Sequence, residues 1–392
     1  MKQDLGIYIH IPFCISKCYY CNFVSYVNQD NMIEEYINAV CMEILQNAEI
    51  LSEYNIATVY FGGGTPSYID SKYIKQIMDT LNLFKKGNDF LEVTLEVNPC
   101  SVTLDKLIQY RNCGINRISI GLQSTHDDIL KTIGRKHTLN DFHNTLKYCK
   151  EAGFDNLSVD IIYPLPNLDL NRFSETLNYL MKVKEEYNIK HISIYNLEIH
   201  KGSKIEFLLN EGYVSLVDEE TEYQMKELIE SKLKENGFYP YEISNFCVKG
   251  FESKHNMNYW NQGIYLGFGV CSSSFFGSVR YKNTDSIKEY IKDIKSNISP
   301  IAEKESLDLL DLMKEFIILK LRLKNGFSTN EFKKFGKDIF DIFSEELQEL
   351  KENQLIDIRK IEGNFEAKTK NYNIALTKRG CEVANVVWEK FV

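Results

Sequence analysis

The chain has 392 residues, of which 44% are apolar and 12% aromatic, so it can bury a large core and is not a disordered protein. This length favours two or three domains. The net charge of −9 argues against a nucleic-acid partner, because proteins that bind nucleic acids usually carry a basic face. No apolar run reaches the roughly 18 residues that span a membrane, although peripheral contact with a membrane stays open.

The chain start lacks the apolar stretch of a signal peptide. We therefore expect a cytoplasmic protein, in which the ten cysteines stay reduced and do not form a disulfide framework. Four of them stand singly in helix-like contexts and are expected to be buried core thiols: Cys41, Cys113, Cys149 and Cys381.

The first half of the chain alternates short apolar strands with amphipathic helices. Strands are predicted at residues 5–11, 56–61, 91–97, 117–121, 156–163 and 191–197, and one of the helices between them is predicted at residues 32–51. Repeated right-handed crossovers of this kind imply an α/β fold with a parallel sheet, open or curled into a partial barrel. In such folds the functional residues gather where the strands end.

The alternation stops after residue 202. Residues 218–235 predict one long helix, and residues 239–277 predict a loop-rich segment dense in aromatics and glycines. From residue 307 helices lead to a hairpin at residues 355–360 and 372–377, which is typical of a winged-helix-like module. The predicted domains are a barrel at 1–205, an aromatic-rich extension at 206–299 and a C-terminal helical, winged-helix-like domain at 300–392.

Three cysteines, Cys14, Cys18 and Cys21, lie directly after the first predicted strand. Thiolates this close repel one another unless a cation shares them, so the spacing indicates a metal. A 4Fe–4S cluster held by three thiolates keeps one iron open for another ligand. Structural zinc, which takes four ligands, and an inert cysteine group are the alternatives. No second cysteine pair or matching histidine pair with zinc-site spacing is present.

Polar or glycine residues follow the later strands at the same predicted rim. Gly63, Gly64 and Thr65 form either an ordinary tight turn or a cradle for the amino-acid end of a ligand. Four further residues, each of which alone is compatible with a surface role, reach this rim: Glu96, Gln123, Arg135 and Asp160. Together they can bind hydroxyls, an ammonium and a carboxylate. The ligand that needs all these contacts is S-adenosylmethionine, whose amino and carboxylate groups can chelate an open iron.

A last motif, His-Asn-x-x-Tyr-Trp, comprises His255, Asn256, Tyr259 and Trp260. One interpretation is a capped turn with a core tryptophan. The other is an aromatic platform with an imidazole that ligates a heme iron. The sequence leaves both open.

These motifs together resemble the radical S-adenosylmethionine superfamily and, within it, the HemN/HemW group, from about residue 6 to residue 283. The resemblance implies a partial (βα)6 TIM-like barrel with a 4Fe–4S cluster held by Cys14, Cys18 and Cys21. It also implies nine contacts to S-adenosylmethionine, from Tyr8, Tyr20, Gly63, Gly64, Thr65, Glu96, Gln123, Arg135 and Asp160.

The HemN/HemW group divides by function, and more than one sequence feature separates its branches. Its oxygen-independent coproporphyrinogen III oxidases carry a fourth cysteine two residues after the third, where this chain has Phe23. Its HemW-type heme chaperones lack that cysteine and carry the His-Asn-x-x-Tyr-Trp motif. The resemblance therefore implies a chaperone that binds heme, with His255, Tyr259 and Trp260 at the heme site, and passes it to acceptor proteins.

Several alternatives stay open at this stage. The chain is a monomer or a dimer, and the resemblance does not decide whether it catalyses a reaction. The enzymatic alternatives are a coproporphyrinogen III oxidase or another radical enzyme such as a methyltransferase, and the simplest alternative is a zinc-stapled α/β protein. The chain departs from the HemW pattern at residues 200–202, where His200-Lys201-Gly202 replaces an acidic residue and a proline before the glycine, and at residues 266–271, where smaller residues are usual.

Overall fold

Six strands of the first half form a parallel sheet, as predicted. The computed structural model describes residues 2–87, 90–361 and 371–392. The strands are β1 (Asp4–Ile11), β2 (Asn55–Gly63), β3 (Glu92–Val97), β4 (Arg117–Gln123), β5 (Leu157–Tyr163) and β6 (Ile189–Asn196). Each pairs in parallel with the next. The α/β partial barrel expected from the alternating pattern is confirmed.

Helices cover the outer face of this sheet between the strands. They are α1 (Ile33–Gln46), α2 (Ala48–Glu53), α3 (Ser71–Asn82), α4 (Leu104–Asn112), α5 (Asp127–Thr132), α6 (Leu139–Glu151), α7 (Leu170–Val183), α8 (Lys204–Asn210) and α9 (Glu219–Glu235). The single helix predicted at residues 32–51 is wrong, because it breaks at Asn47. The Asn47 side chain donates to the Glu43 carbonyl, a local bond that competes with helix continuation.

The segment predicted to be loop-rich contains regular structure, so that prediction is wrong. It holds β7 (Tyr239–Pro240), β8 (Asn245–Cys247), α10 (Lys254–Trp260), β9 (Tyr265–Phe268) and β10 (Ser273–Phe276). Strand β9 pairs in parallel with β1, while β8 pairs with β6. The glycines in this segment mark close packing of strands as well as turns, because a Cβ at Gly267 would overlap the Ser273 carbonyl.

The sheet continues through β11 (Val279–Asn283) and β12 (Ile301–Ser306), with α11 (Ile287–Lys295) between them. In the described residues twelve strands form one sheet, in the order β12-β11-β10-β9-β1-β2-β3-β4-β5-β6-β8-β7. The extension is therefore built onto both edges of the barrel sheet. The predicted domain boundaries at residues 205 and 299 stay predictions.

The C-terminal part combines helices with a small antiparallel sheet around its own apolar cluster. Its elements are α12 (Leu309–Leu321), β13 (Phe327–Ser328), α13 (Thr329–Phe332), α14 (Ile339–Ile342), α15 (Ser344–Glu352), β14 (Ile356–Lys360), β15 (Tyr372–Leu376), α16 (Lys378–Glu382) and α17 (Ala384–Trp388). The predicted hairpin is confirmed as β14 paired with β15, and β13 adds a third strand. Within the described residues, no helix combines the length and apolar character needed to cross a bilayer.

Candidate functional site

A cavity of about 520 Å³ lies at the carboxyl ends of the parallel strands. Its wall contains all three predicted cluster ligands, Cys14, Cys18 and Cys21. It also contains every predicted cofactor contact except Tyr8, namely Tyr20, Gly63, Gly64, Thr65, Glu96, Gln123, Arg135 and Asp160. Cys14 and Asp160, which are 146 positions apart in the sequence, thus line the same cavity because the parallel strands end at one rim.

The loop that carries the cysteines is tied to β1 behind the cavity. The Cys14 N–H donates to the Tyr26 carbonyl at 3.0 Å, and His10 Nε2 bonds the Val24 carbonyl at 2.9 Å. Tyr8 Oη bonds the other ring nitrogen of His10 at 3.1 Å. Burial lowers the pKa of His10 to about 4, so the ring is neutral and donates through one nitrogen while accepting through the other. Tyr8 therefore acts on the cysteine loop through His10 and does not line the cavity.

The glycine run joins the second strand to the same loop. The Gly64 and Thr65 N–H groups donate to the carbonyls of residues 11 and 13, each at 2.9 Å. Gly63 has φ +105°, and a Cβ there would overlap the His10 ring. The run lets two backbone segments approach closely. The N–H groups of Gly64 and Thr65 already have partners, so they differ from the open donors of the expected cradle.

Arg135 connects the end of β4 to the cysteine loop. Its guanidinium donates to the Gly121 carbonyl at 2.6 Å and to His137 Nδ1 at 3.3 Å, and it lies 3.7 Å from Cys18 Sγ. Burial and the adjacent Arg135 charge lower the pKa of His137 to about 3, so the ring stays neutral and accepts. A fixed cation therefore lies beside the sulfur of a predicted cluster ligand.

Two half-buried carboxyl groups face the cavity from β3 and β5, the strands on either side of β4. Glu96 accepts a hydrogen bond from Tyr60 Oη at 2.9 Å, and Asp160 accepts one from Ser119 Oγ at 3.1 Å. Burial raises the pKa of both, that of Glu96 to about 7. Gln123 has φ +68°, and its buried Oε1 has no hydrogen-bond partner among the described residues. A ligand rich in hydroxyl and ammonium donors fits this set of acceptors.

The cysteines fit a cluster better than a single ion. Among residues 2–87, 90–361 and 371–392, no three His, Cys, Asp or Glu side chains converge on one metal-ion position. A cubane cluster does not require such convergence, because each thiolate binds a different iron. Burial raises the pKa of the Cys14 and Cys21 thiols, which makes a positively charged partner necessary for the thiolate form.

The His-Asn-x-x-Tyr-Trp motif lies apart from the cavity wall. His255 is 1% exposed, and both of its ring nitrogens are hydrogen bonded: Nδ1 to Thr58 Oγ1 and Nε2 to Tyr259 Oη, each at 2.8 Å. Its ring stacks on Tyr60 with centroids 5.2 Å apart. Burial lowers the pKa of His255 to about 3. The heme role predicted for this residue stays untested, and the geometry gives it a structural role that fixes α10 against β2.

Two further contacts hold this motif in place. The Glu92 carboxylate accepts from Ser253 Oγ and from the first backbone N–H groups of α10, which anchors that helix to β3. The Arg322 guanidinium lies between Trp260 and Trp388, 4.5 and 4.9 Å from the ring centroids. Trp260 thus packs against the C-terminal part, and its predicted heme contact also stays untested.

Sequence reasoning missed several residues that shape the site. Tyr60 supplies the hydrogen bond to Glu96, and Ser119 the one to Asp160. Alternation along β2 and β4 was an available signal, since Tyr60 stands two residues before Gly62 and Ser119 two before Gly121 on the inward face. His200 also lines the cavity. In the sequence it stood out only as a departure from the HemW pattern.

A partial barrel with a three-cysteine loop after its first strand and a polar rim beside it is the architecture of a radical S-adenosylmethionine protein. Residues 8–180 match the sequence profile described as the Radical SAM superfamily, and residues 307–361 match that of the HemN C-terminal domain. The chain belongs to the HemW family of this superfamily.

Full-length relatives support that assignment. The heme chaperone HemW of Bacillus subtilis is 33% identical over 351 residues, covering 89% of this chain and 92% of the relative. That of Lactococcus lactis is 30% identical over 393 residues, covering 100% and 98%. The solved structure of coproporphyrinogen III oxidase (HemN) from Escherichia coli superposes with a TM-score of 0.83 at 22% identity, over 100% of this chain and 90% of that one. This last likeness concerns the fold alone.

Proposed function

We propose that the chain is a heme chaperone, which binds heme next to a cluster and cofactor site and passes it to acceptor proteins. The observation that carries the proposal is its similarity to HemW heme chaperones over 89% and 100% of its length. Phe23 at the position of the fourth cysteine of the oxidases agrees with this choice. The acceptor is a protein that itself binds heme.

In this proposal Cys14, Cys18 and Cys21 hold the cluster, and the polar rim holds S-adenosylmethionine. When bound, the cluster supplies one electron for reductive cleavage of the sulfonium. Glu96 and Asp160 accept hydrogen bonds from ligand hydroxyl or ammonium groups, and a bound ammonium would lower the pKa of either carboxyl. Gln123 Oε1 gains the partner that it lacks. Tyr20, which packs beside the cysteines, limits access of water to them.

The proposal includes a cellular location for the protein. A cytoplasmic location agrees with ten free cysteines in the described chain. This function is compatible with a monomer or a dimer, with or without peripheral contact to a membrane.

The experiment is a hemin titration of protein whose cluster has been reconstituted without oxygen. We expect a Soret band that saturates at one heme per chain, and loss of that heme to apomyoglobin added as a generic acceptor. S-adenosylmethionine is present in one arm and absent in the other. Absence of a Soret band in both arms would contradict the proposal.

A parallel reaction tests the enzymatic alternative. Cluster-loaded protein receives S-adenosylmethionine, a reductant and coproporphyrinogen III, and the products are separated by chromatography. A chaperone yields no protoporphyrinogen, whereas product formation at a catalytic rate would identify an oxidase.

A further inference from the structure

We propose that His200 is an axial ligand of the heme iron and that the heme lies across the mouth of the cavity. This inference rests on the proposed heme-chaperone function and assigns its cargo a place. Three features support it: the unoccupied nitrogens of the His200 ring, the exposed apolar side chains around the mouth, and a lysine that can bind a propionate.

The His200 ring has the surroundings of a histidine that can ligate a metal. Its side chain is 34% exposed, and Nε2 lies 3.5 Å from Glu198 Oε2. A ligating histidine commonly presents one nitrogen to the metal while the other N–H faces a carboxylate. No hydrogen bond from the described residues occupies either ring nitrogen of His200, and the tautomer with its N–H on Nε2, on the side of Glu198, leaves the Nδ1 lone pair for a metal.

His200 is also the one histidine among the described residues that lines the cavity. By contrast, both nitrogens of His255 are bonded inside the core. His10 likewise bonds Tyr8 and Val24 through its two nitrogens. A heme iron that approaches from the cavity therefore meets the His200 imidazole without breaking a buried hydrogen bond.

Apolar side chains around the mouth offer the surface that a porphyrin needs. Phe23 and Tyr195 line the cavity and are 65% and 42% exposed, respectively. Leu197 lines it as well, and the next apolar residue along this segment, Ile199, is exposed. Large apolar side chains left in water near a cavity mark a binding surface, because covering them releases hydration free energy.

The volume of the cavity places the porphyrin at the mouth. At about 520 Å³ the cavity is comparable to a site for one drug-sized ligand. The residues beside the cysteines fit S-adenosylmethionine, so a second large ligand has to lie further out. Phe23 and His200 both line the cavity and are 65% and 34% exposed, which favours a position toward its opening.

The charges at the mouth orient the heme. Lys17 lines the cavity and is exposed, and its ammonium uses two of its three donors on Phe23 O and Ser25 Oγ. The third donor is available to a propionate. Glu198 repels the propionates from the side of His200, so we expect them to face Lys17.

The test compares hemin binding by cluster-loaded parent protein, His200→Ala and His126→Ala. His126 serves as the control, because its Nε2 also lies 3.5 Å from a glutamate, Glu175, and it does not line the cavity; unlike His200, it bonds the Arg172 carbonyl. We expect at least tenfold weaker hemin affinity and a shifted Soret band for His200→Ala, partly restored by added imidazole. The His126→Ala protein should match the parent. Equal iron content of all three shows that the cluster site is intact.

The outcomes separate the two proposals. If the parent binds hemin and His200→Ala has the same affinity and spectrum, the His200 assignment is refuted while the chaperone proposal stands. If the parent binds no hemin, the proposed function itself fails. A second variant, Phe23→Glu, should weaken hemin binding without altering the Soret position, since it removes apolar surface but no ligand. Unchanged affinity in Phe23→Glu would contradict the placement of heme over this side of the mouth.

Discussion

Replacement of His255 by alanine tests whether the imidazole is a structural strut. The ring joins Thr58 on β2 to Tyr259 on α10 through two 2.8 Å hydrogen bonds and stacks on Tyr60. Its removal leaves two hydroxyl groups without partners, and Tyr60, which bonds Glu96 at the cavity, loses its support. The effect should therefore be a loss of stability and not a selective loss of a heme ligand.

The magnitude follows from these contacts. Each buried hydroxyl left unpaired costs about 1–3 kcal/mol, and a lost aromatic contact costs roughly 0.5–1.5 kcal/mol. We expect His255→Ala to lower the free energy of unfolding by about 2.5–7.5 kcal/mol, a large part of the roughly 5–15 kcal/mol typical of a folded domain. Tyr259→Phe removes one hydrogen bond and leaves the buried Nε2 of His255 unpaired, so it should cost about 1–3 kcal/mol.

The assay is urea unfolding of cluster-free protein, followed by circular dichroism, together with hemin titration well below the unfolding transition. The reasoning predicts an earlier transition for His255→Ala and a hemin affinity close to that of the parent. If the variant unfolds at the urea concentration of the parent but no longer binds hemin, His255 is a heme ligand and the strut interpretation is refuted.

Three further predictions concern other parts of the fold. Gly63→Ala should lower the iron content after reconstitution because its Cβ overlaps His10, whereas Gly87→Ala, with φ +81° and no neighbour within 4 Å, should load normally. Burial raises the pKa of Glu43 from 4.5 to about 7, so the folded state holds a proton that the unfolded chain has lost. The contribution of Glu43 to stability should fall by about 3 kcal/mol as the pH rises from about 4.5 to 7, and urea midpoints should show a fall that is smaller by this amount for Glu43→Gln. Arg322→Ala should cost about 2 kcal/mol and shift the fluorescence of the two tryptophans to longer wavelength, since both rings contact this guanidinium; an unchanged spectrum would contradict the contact.

The barrel and the cysteine loop could be predicted because their signals are local. A β-branched run followed by a helix is visible within about 30 residues, and so is the close spacing of Cys14, Cys18 and Cys21. Once parallel strands are assumed, their carboxyl ends share one rim. That single rule predicts that Glu96 and Asp160 lie at one rim, and both line the cavity.

The features that the sequence did not predict depend on contacts between residues that are distant in the chain. His255 looked available for heme, but its two hydrogen bonds include one to Thr58, 197 residues away. The segment around Gly267 looked like a loop, yet β9 gains a parallel partner in β1. Motif residues by themselves do not reveal whether a donor or acceptor is already paired. The same holds for the glycine run: its N–H groups looked free to bind a ligand, but two of them donate to carbonyls of residues 11 and 13.

The residues that line the cavity fall into two groups: those in motifs that resemble the whole superfamily, and those that are particular to this chain. The deep wall consists of the cysteine loop and the polar rim, whose motifs resemble those of the whole superfamily. The mouth carries Phe23 and His200, which replace residues typical of the oxidases and of the HemW pattern, respectively. In the proposed arrangement the cysteine loop borders both parts of the cavity, so a heme at the mouth would cover the cofactor without sharing its contacts. Different residues then bind the cofactor and the heme, so the two sets can change independently in sequence. Both ligands still enter through the same opening.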